Sequence, residues 1–383
     1  MGSHATSRVC FRPMRILYGV VGEGMGHATR SRVLLEELAK EHEVHIVVSG
    51  RAKDYLAKRF ENVHGIWGFT IAYEGNSVKK WQTVLQNLTG AVKGWPQNVR
   101  QYFDLVEEFK PDVVVSDFES FSYLFARNHR LPVISVDNMQ IINRAKHDAS
   151  LLAGFEDDFE ATRALVKSKL PGCFHYLVTS FFYPPVRKER TTLLPSILRP
   201  EIIAAKSEPG EHLLVYQTAT TNTQLPEILK QSGLPCHIYG LRRDLTEDVR
   251  DGNLLYRPFS EKGFIDDLRT ARAVVAGGGY TLMSEAVYLH KPVLALPVKG
   301  QFEQVLNALY LERLGYGMYA PELTLERLRD FLQRVPRCQE ALEGYEQDGN
   351  VKMIAALREQ IARAAEYKGR WWEEPGLGEP SNE

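Results

Sequence analysis

The chain has 383 residues, more than one compact domain usually holds, so two domains of roughly 150 to 200 residues are expected. Lysine plus arginine (47) and aspartate plus glutamate (48) nearly cancel, which removes the electrostatic argument for a nucleic-acid or anionic-membrane surface. The four cysteines, Cys10, Cys173, Cys236 and Cys338, fall at no CxxC or metal-ligand spacing, which fits a reduced, cytoplasmic setting better than a disulfide framework.

The opening MGSHATSRVCFRP lacks the apolar core of a signal peptide and is read as a tag or extension over residues 1–13, with the fold starting at Met14. Short apolar, β-branched runs then alternate with longer amphipathic ones. RILYGVV reads as a strand, TRSRVLLEELAKE as a helix and EVHIVVSG as a strand; PDVVVSD, LPVISVD, HLLVY, CHIYG, AVVAGGG and PVLALPV continue the series. Runs this short and this uniformly apolar suit strands buried on both faces, with helices as crossovers. The expected class is α/β, with two Rossmann-like, doubly wound parallel sheets. PPVRKERTTLLPSILRP, residues 184–200, has four prolines and no period and reads as the interdomain linker. This divides the chain into an N-terminal domain at 14–198 and a C-terminal domain at 199–350. A helical stretch follows at 351–368, and a loose tail at 369–383 holds Trp371 and Trp372. No run of about 18 apolar residues exists to span a membrane, although peripheral contact stays open. Trp81, Leu85, Leu88, Val92 and Trp95 recur at roughly helical spacing, either as core or as a surface for a lipid-linked or aromatic acceptor.

Three clusters could carry chemistry. GEGMGH lies between the first strand and a helix expected from Thr29, at the carboxyl end of a parallel strand, where open α/β sheets place their ligands. Gly22, Gly24 and Gly26 let the backbone approach a neighbour closely. A dinucleotide fingerprint would need glycine where His27 stands, and EVHIVVSG ends without a ribose-binding acid. His27 is thus either a base facing the crevice or a side chain that caps the helix. Asp117, ending PDVVVSD, could orient His27 and stabilise its imidazolium. It could equally cap the next helix, or form a D-x-E metal pair with Glu119, although no further ligand cluster supports a metal. In the third cluster, Gly277, Gly278 and Gly279 lead into a helix expected from about Thr281, whose free amides and dipole would cradle a diphosphate. Glu285, one turn beyond Thr281, would accept hydrogen bonds from ribose hydroxyls. Glu303, Gln304 and Asn307 open the next helix and suit a sugar. An ordinary glycine turn would explain the glycines but not this polar placement.

Together the clusters resemble a GT-B glycosyltransferase. The pattern is similar to the plant and mammalian UDP-glycosyltransferases, to the bacterial GlcNAc transferase of peptidoglycan synthesis, and most of all in wording to prokaryotic MurG-like glycosyltransferases. The resemblance runs from Met14 to about Tyr367 and is strongest over residues 273–317. It implies two facing Rossmann-like domains, a C-terminal helix crossing back to the first, and inverting, metal-independent transfer from a nucleoside diphosphate sugar, expected to be a UDP-sugar, to an acceptor hydroxyl. It assigns His27 as base and Asp117 as its partner, Glu285 to ribose, and Glu303, Gln304 and Asn307 to the sugar. Gly277 departs from the family, where His or Arg often touches phosphate. Phosphate binding would then fall to backbone amides, Thr281 and the QTATTN loop, with Thr218, Thr220 and Thr221. The sugar nucleotide is a substrate, and no cofactor is expected. The same architecture also serves nucleotide-sugar epimerases and hydrolases, and a non-catalytic sugar-nucleotide-binding subunit is a further alternative.

Overall fold

The computed structural model describes residues 13–22, 24–66, 105–217 and 224–367, with the backbone of two short paired strands at Tyr73–Glu74 and Ser77–Val78. Thr218, Thr220, Thr221, the Trp81–Trp95 stripe, Cys10 and the two tail tryptophans lie outside the described residues.

Two seven-stranded sheets organise the molecule. The first comprises β1 (Arg15–Val20), β2 (Glu43–Ser49), β3 (Val63–Ile66), β4 (Val113–Asp117), β5 (Val133–Asp137), β6 (His175–Ser180) and β7 (Thr191–Pro195). Its order is β3-β2-β1-β4-β5-β6-β7, and every pairing is parallel. The second comprises β8 (Leu213–Tyr216), β9 (Cys236–Tyr239), β10 (Val249–Asp251), β11 (Leu254–Tyr256), β12 (Ala273–Ala276), β13 (Val293–Ala295) and β14 (Gly317–Tyr319). Its order is β10-β11-β9-β8-β12-β13-β14, with β10 the one antiparallel member. In both sheets the strand order reverses beside the first strand, between β1 and β4 and between β8 and β12, and such switch points open a crevice at the carboxyl ends of the strands.

Alternation along β1 shows why these runs are apolar throughout. Ile16, Tyr18 and Val20 enter one core, together with Met353, Leu357 and Ile361 of the C-terminal helix, Val351–Glu366. Leu17 and Val21 enter the other. That second core is continuous between the halves, for it joins Val114 and Phe125 of the first to Val274, Met283 and Ala286 of the second. Phe182 stacks on Tyr310 across the junction with ring centroids 4.0 Å apart. The C-terminal helix therefore packs on the first sheet, as the resemblance implies.

The proline-rich stretch differs from its expected role as a linker. Thr191–Pro195 is the edge strand β7, and the crossing is confined to the residues after it. Asn350 clips that crossing to the start of the C-terminal helix: its Oδ1 accepts from Leu198 N at 2.9 Å and its Nδ2 donates to Leu198 O at 2.8 Å. Cys173, Cys236 and Cys338 are buried free thiols. Among the described residues no helix is long and apolar enough to cross a membrane.

Two histidines of the first sheet give folding a defined pH response. His45 lies against Phe109, with ring centroids 3.7 Å apart, and burial, reinforced by His64, pulls its imidazole down to about 4. Burial, with Arg363, Arg144 and Arg190 adding, holds His175 at about 4 as well. Unfolding returns both to about 6.5, so between these values the unfolded chain binds more protons, and stability present above 6.5 is lost as pH falls toward 4. A double His45→Gln, His175→Gln variant should show a flatter fall of Tm with pH over that window in thermal melts.

Candidate active site

The parallel register pairs Val20 with Asp117, so the loop leaving β1 emerges beside the end of β4. The helix after this loop, α1, spans Met25–Leu38, four residues earlier than the Thr29 start expected from sequence. His27 therefore stands on its first turn rather than in a loop, with Arg30 one turn further on the same face. Gly24 is the N-cap residue, extended at φ −127°. Gly22 lies against the Ser49 backbone, which leaves no room for a Cβ, and its amide donates to Ser49 Oγ at 3.0 Å. A Cβ on Gly26 would lie 2.6 Å from Thr281 Oγ1, so glycine there lets the first domain close onto the second.

Asp117 is 1% exposed and collects four donated contacts. His27 Nδ1 lies 2.8 Å from Oδ1, Arg30 Nη2 2.5 Å from Oδ1, Arg30 Nε 2.9 Å from Oδ2, and Ser31 Oγ 2.9 Å from Oδ2. Burial alone would raise this carboxyl, but the charge of Arg30, then that of His27, holds it well below the usual carboxylate range. Because an ionised carboxylate only accepts, the network assigns a hydrogen to His27 Nδ1, so that in the neutral ring it is Nε2 that carries the lone pair. Arg30 Nη2 also lies 2.7 Å from Nδ1; a guanidinium cannot accept, so both N–H groups converge on Asp117 Oδ1. Phe118, the next residue, is held at φ 56°, a conformation costing about 1–2 kcal/mol for a residue with a Cβ. This turn parts Asp117 from Glu119. It is Glu119 that caps the Ser120–Asn128 helix, accepting from Phe121 N at 2.7 Å and Ser122 N at 2.6 Å. Asp117 is thus not the cap, and Glu119 is not free to join a D-x-E metal pair.

On the facing domain, Gly277 and Gly278 follow β12, Gly279 is the N-cap residue, and the helix Tyr280–Tyr288 begins one residue before Thr281. No side chain caps that helix among the described residues, so its first-turn amides remain available to an anion. Gly278 runs against the backbone of Gln304, where a Cβ would collide. Helix Phe302–Arg313 carries Glu303, Gln304 and Asn307. Asn307 Nδ2 donates to Gly278 O at 3.0 Å and reaches Glu303 Oε1 at 3.3 Å. Gln304 turns inward, its Oε1 accepting from Val298 N at 3.0 Å and its Nε2 donating to Gln301.

Glu285 differs from its expected placement. It is 2% exposed, and Arg199 of the crossing segment grips both its oxygens at 2.7 Å, while Arg199 Nη1 also reaches Glu261 at 2.9 Å. The carboxylate expected to meet a ribose therefore faces a buried guanidinium. Burial pushes its carboxyl up, against the pull of Arg199. The sequence reading also missed Arg30, Asn138 and Arg199. For Arg30 the i, i+3 spacing from His27 was a usable signal, and Asn138 directly follows the strand end of VISVD.

Across the gap, Asn138 Nδ2 donates to Glu303 Oε1 at 2.6 Å, and Tyr280 Oη pairs with Thr179 Oγ1 at 3.0 Å. A histidine held by a buried carboxylate thus faces a glycine turn and a helix with no side-chain cap. The sequence pattern of glycosyl transferase family 1 matches residues 14–336. The chain belongs to that family. Glycosyltransferase activity follows from membership, and the family's relatives agree. A Methanosarcina mazei protein described as an uncharacterized glycosyltransferase is 26% identical over 84% of this chain and 90% of its own length. One from Methanosarcina acetivorans, described in the same words, is 25% identical over 92% and 100%. Among solved structures, the glycosyltransferase of kitacinnamycin superposes with TM-score 0.66 at 17% identity, covering 91% of this chain and 99% of that one. MurG of Acinetobacter baumannii gives 0.55 at 14%, covering 90% and 99%. A Polygonum tinctorium UDP-glucosyltransferase gives 0.63 at 13%, covering 93% and 99%. These likenesses establish the GT-B fold.

The Arg199–Glu285 pair is testable by itself. Glu285→Ala strands a buried guanidinium with Glu261 as its remaining partner and should lower stability by about 3 kcal/mol in urea unfolding. An Arg199→Met, Glu285→Met double variant should recover most of that loss, because removing both charges leaves none unpaired.

Proposed function

We propose that this glycosyltransferase moves a sugar from a nucleoside diphosphate, with a UDP-sugar the first candidate, to an acceptor hydroxyl with inversion at the anomeric carbon. The observation that carries this reading is the His27–Asp117 contact at 2.8 Å, on the domain wall that meets the glycine turn through Gly26 and Thr281. His27 Nε2 takes the proton of the acceptor hydroxyl as its oxygen attacks the anomeric carbon. The bond from that carbon to the diphosphate oxygen breaks, and the nucleoside diphosphate leaves with the electron pair. Asp117 holds the ring and balances the imidazolium. A positioned general base contributes about 10²- to 10⁴-fold. The amides of the Gly277–Tyr280 turn and the helix dipole meet the leaving charge, which gives the chain a metal-independent means of stabilising it.

Glu303 and Asn307 are assigned to the transferred sugar, and Gly277, Gly278, Gly279 and Thr281 to the diphosphate. Gln304 contributes by shaping the turn from within. Glu285 reaches a ribose in this scheme only when the nucleotide displaces Arg199 from it.

The test begins with thermal shift against UDP, TDP and GDP, followed by donor consumption and product analysis with the nucleotide that stabilises most. His27→Ala should lose transfer by about 10²-fold or more while nucleotide affinity stays nearly unchanged. Turnover at the wild-type rate in that variant would remove His27 from the mechanism. Free sugar as the product without an acceptor, or an epimerised donor, would redirect the reading to a hydrolase or an epimerase.

A further inference from the structure

A polar chain joins the base to the sugar-facing acid across the cleft, and its central link is a single amide. Arg30, 3% exposed, extends Nη1 to Asn138 Oδ1 at 2.5 Å while its other two nitrogens hold Asp117. Asn138, also 3% exposed, extends Nδ2 to Glu303 Oε1 at 2.6 Å in the opposite domain. The chemistry of the neighbours fixes which way this amide points. A guanidinium only donates and a carboxylate only accepts, so the bridge requires one acceptor and one donor on the same short side chain. Asparagine provides both. Asn307 Nδ2 reaches the same oxygen of Glu303 at 3.3 Å, so two amides from two domains hold Oε1, and Oε2 takes no hydrogen bond among the described residues.

We propose that Arg30 and Asn138 are positioning residues that tie the Glu303 side of the cleft to the base, by orienting Glu303 so that Oε2 is presented to a hydroxyl of the transferred sugar. The proposal rests on the reading of Glu303 as a sugar contact. Asn138 sits at the carboxyl end of β5, one strand from Asp117, so through Arg30 the Asn138–Glu303 contact and the Asp117–His27 pair belong to one connected network. Neither residue occupies the glycine turn that would hold the diphosphate. Their loss should therefore slow transfer without loosening the nucleotide.

The experiment has two arms. In the unliganded enzyme, Tm is measured for Asn138→Leu, Glu303→Ala and the double variant; a formed bridge predicts losses that do not add, since one contact cannot be lost twice. In the second arm kcat is measured with the donor found by screening, and UDP affinity by calorimetry. Arg30→Lys, Asn138→Leu and the near-isosteric Asn138→Asp should each lower kcat by about 10- to 100-fold, with UDP affinity held within about threefold. Asn138→Asp keeps the shape but turns a carboxylate toward Glu303, so its loss of kcat would separate positioning from packing. A combined Arg30→Lys, Asn138→Leu variant should be no slower than the worse single. Wild-type kcat in Asn138→Asp, or multiplicative losses in the combination, would overturn the proposal while leaving the transferase reading intact. Absence of donor consumption by the wild-type enzyme would sink that reading, and the coupling role with it.

Discussion

A carboxylate sealed from water must be neutralised where it stands, and Asp117 shows how much structure follows from that requirement. Its two oxygens receive His27, Arg30 twice and Ser31, so one side chain fixes the start of helix α1 against the end of β4. Removing a buried charge from its partners is far costlier than never burying it, which makes the group rigid in its present arrangement. The left-handed Phe118 and the Glu119 cap belong to the same solution: together they end β4 sharply and leave Asp117 free for the imidazole.

The second consequence is closeness. Gly26 against Thr281 and Gly278 against the backbone of Gln304 are places where a methyl group would have to displace an atom. At the first the domains approach each other; at the second two elements of one domain do. The aromatic pair Phe182 and Tyr310 and the bond from Tyr280 to Thr179 extend the contact away from His27, and Asn350 ties the two chain crossings together. The charged side of the junction is built differently. Arg32 of α1 reaches Glu201 at 2.6 Å, and Arg199 grips Glu285 and Glu261, so a ladder of ion pairs spans both domains where the ribose of a donor was expected. A donor entering there has to exchange protein ion pairs for its own contacts, whereas one entering at the glycine turn meets free amides.

Much of the fold was legible because parallel strands buried on both faces write themselves as unbroken apolar runs. RILYGVV, PDVVVSD, AVVAGGG and PVLALPV all became strands. The strands that escaped notice were short or polar, such as Thr191–Pro195 at a sheet edge and Gly317–Tyr319, where three residues carry no period. Proline at 195 suggested a linker, yet an edge strand tolerates proline because one side of its backbone lacks a partner. The helix over TRSRVLLEELAKE was recognised, but its first turn was not, because glycines at 24 and 26 argue against a helix and only packing against the facing domain overrides them.

The sequence by itself determined the class of the molecule, two parallel sheets meeting at their strand ends, and it placed His27, Asp117 and the three glycines at those ends, since strand-end position follows from local pattern alone. Tertiary structure decided the partners. That Arg30 holds Asp117, that Asn138 bridges Arg30 to Glu303, and that Arg199 occupies Glu285 are contacts between residues 87, 108, 165 and 86 positions apart. No periodicity records such separations. Hydrogen-bond satisfaction of buried charge selects among them only after the chain has closed.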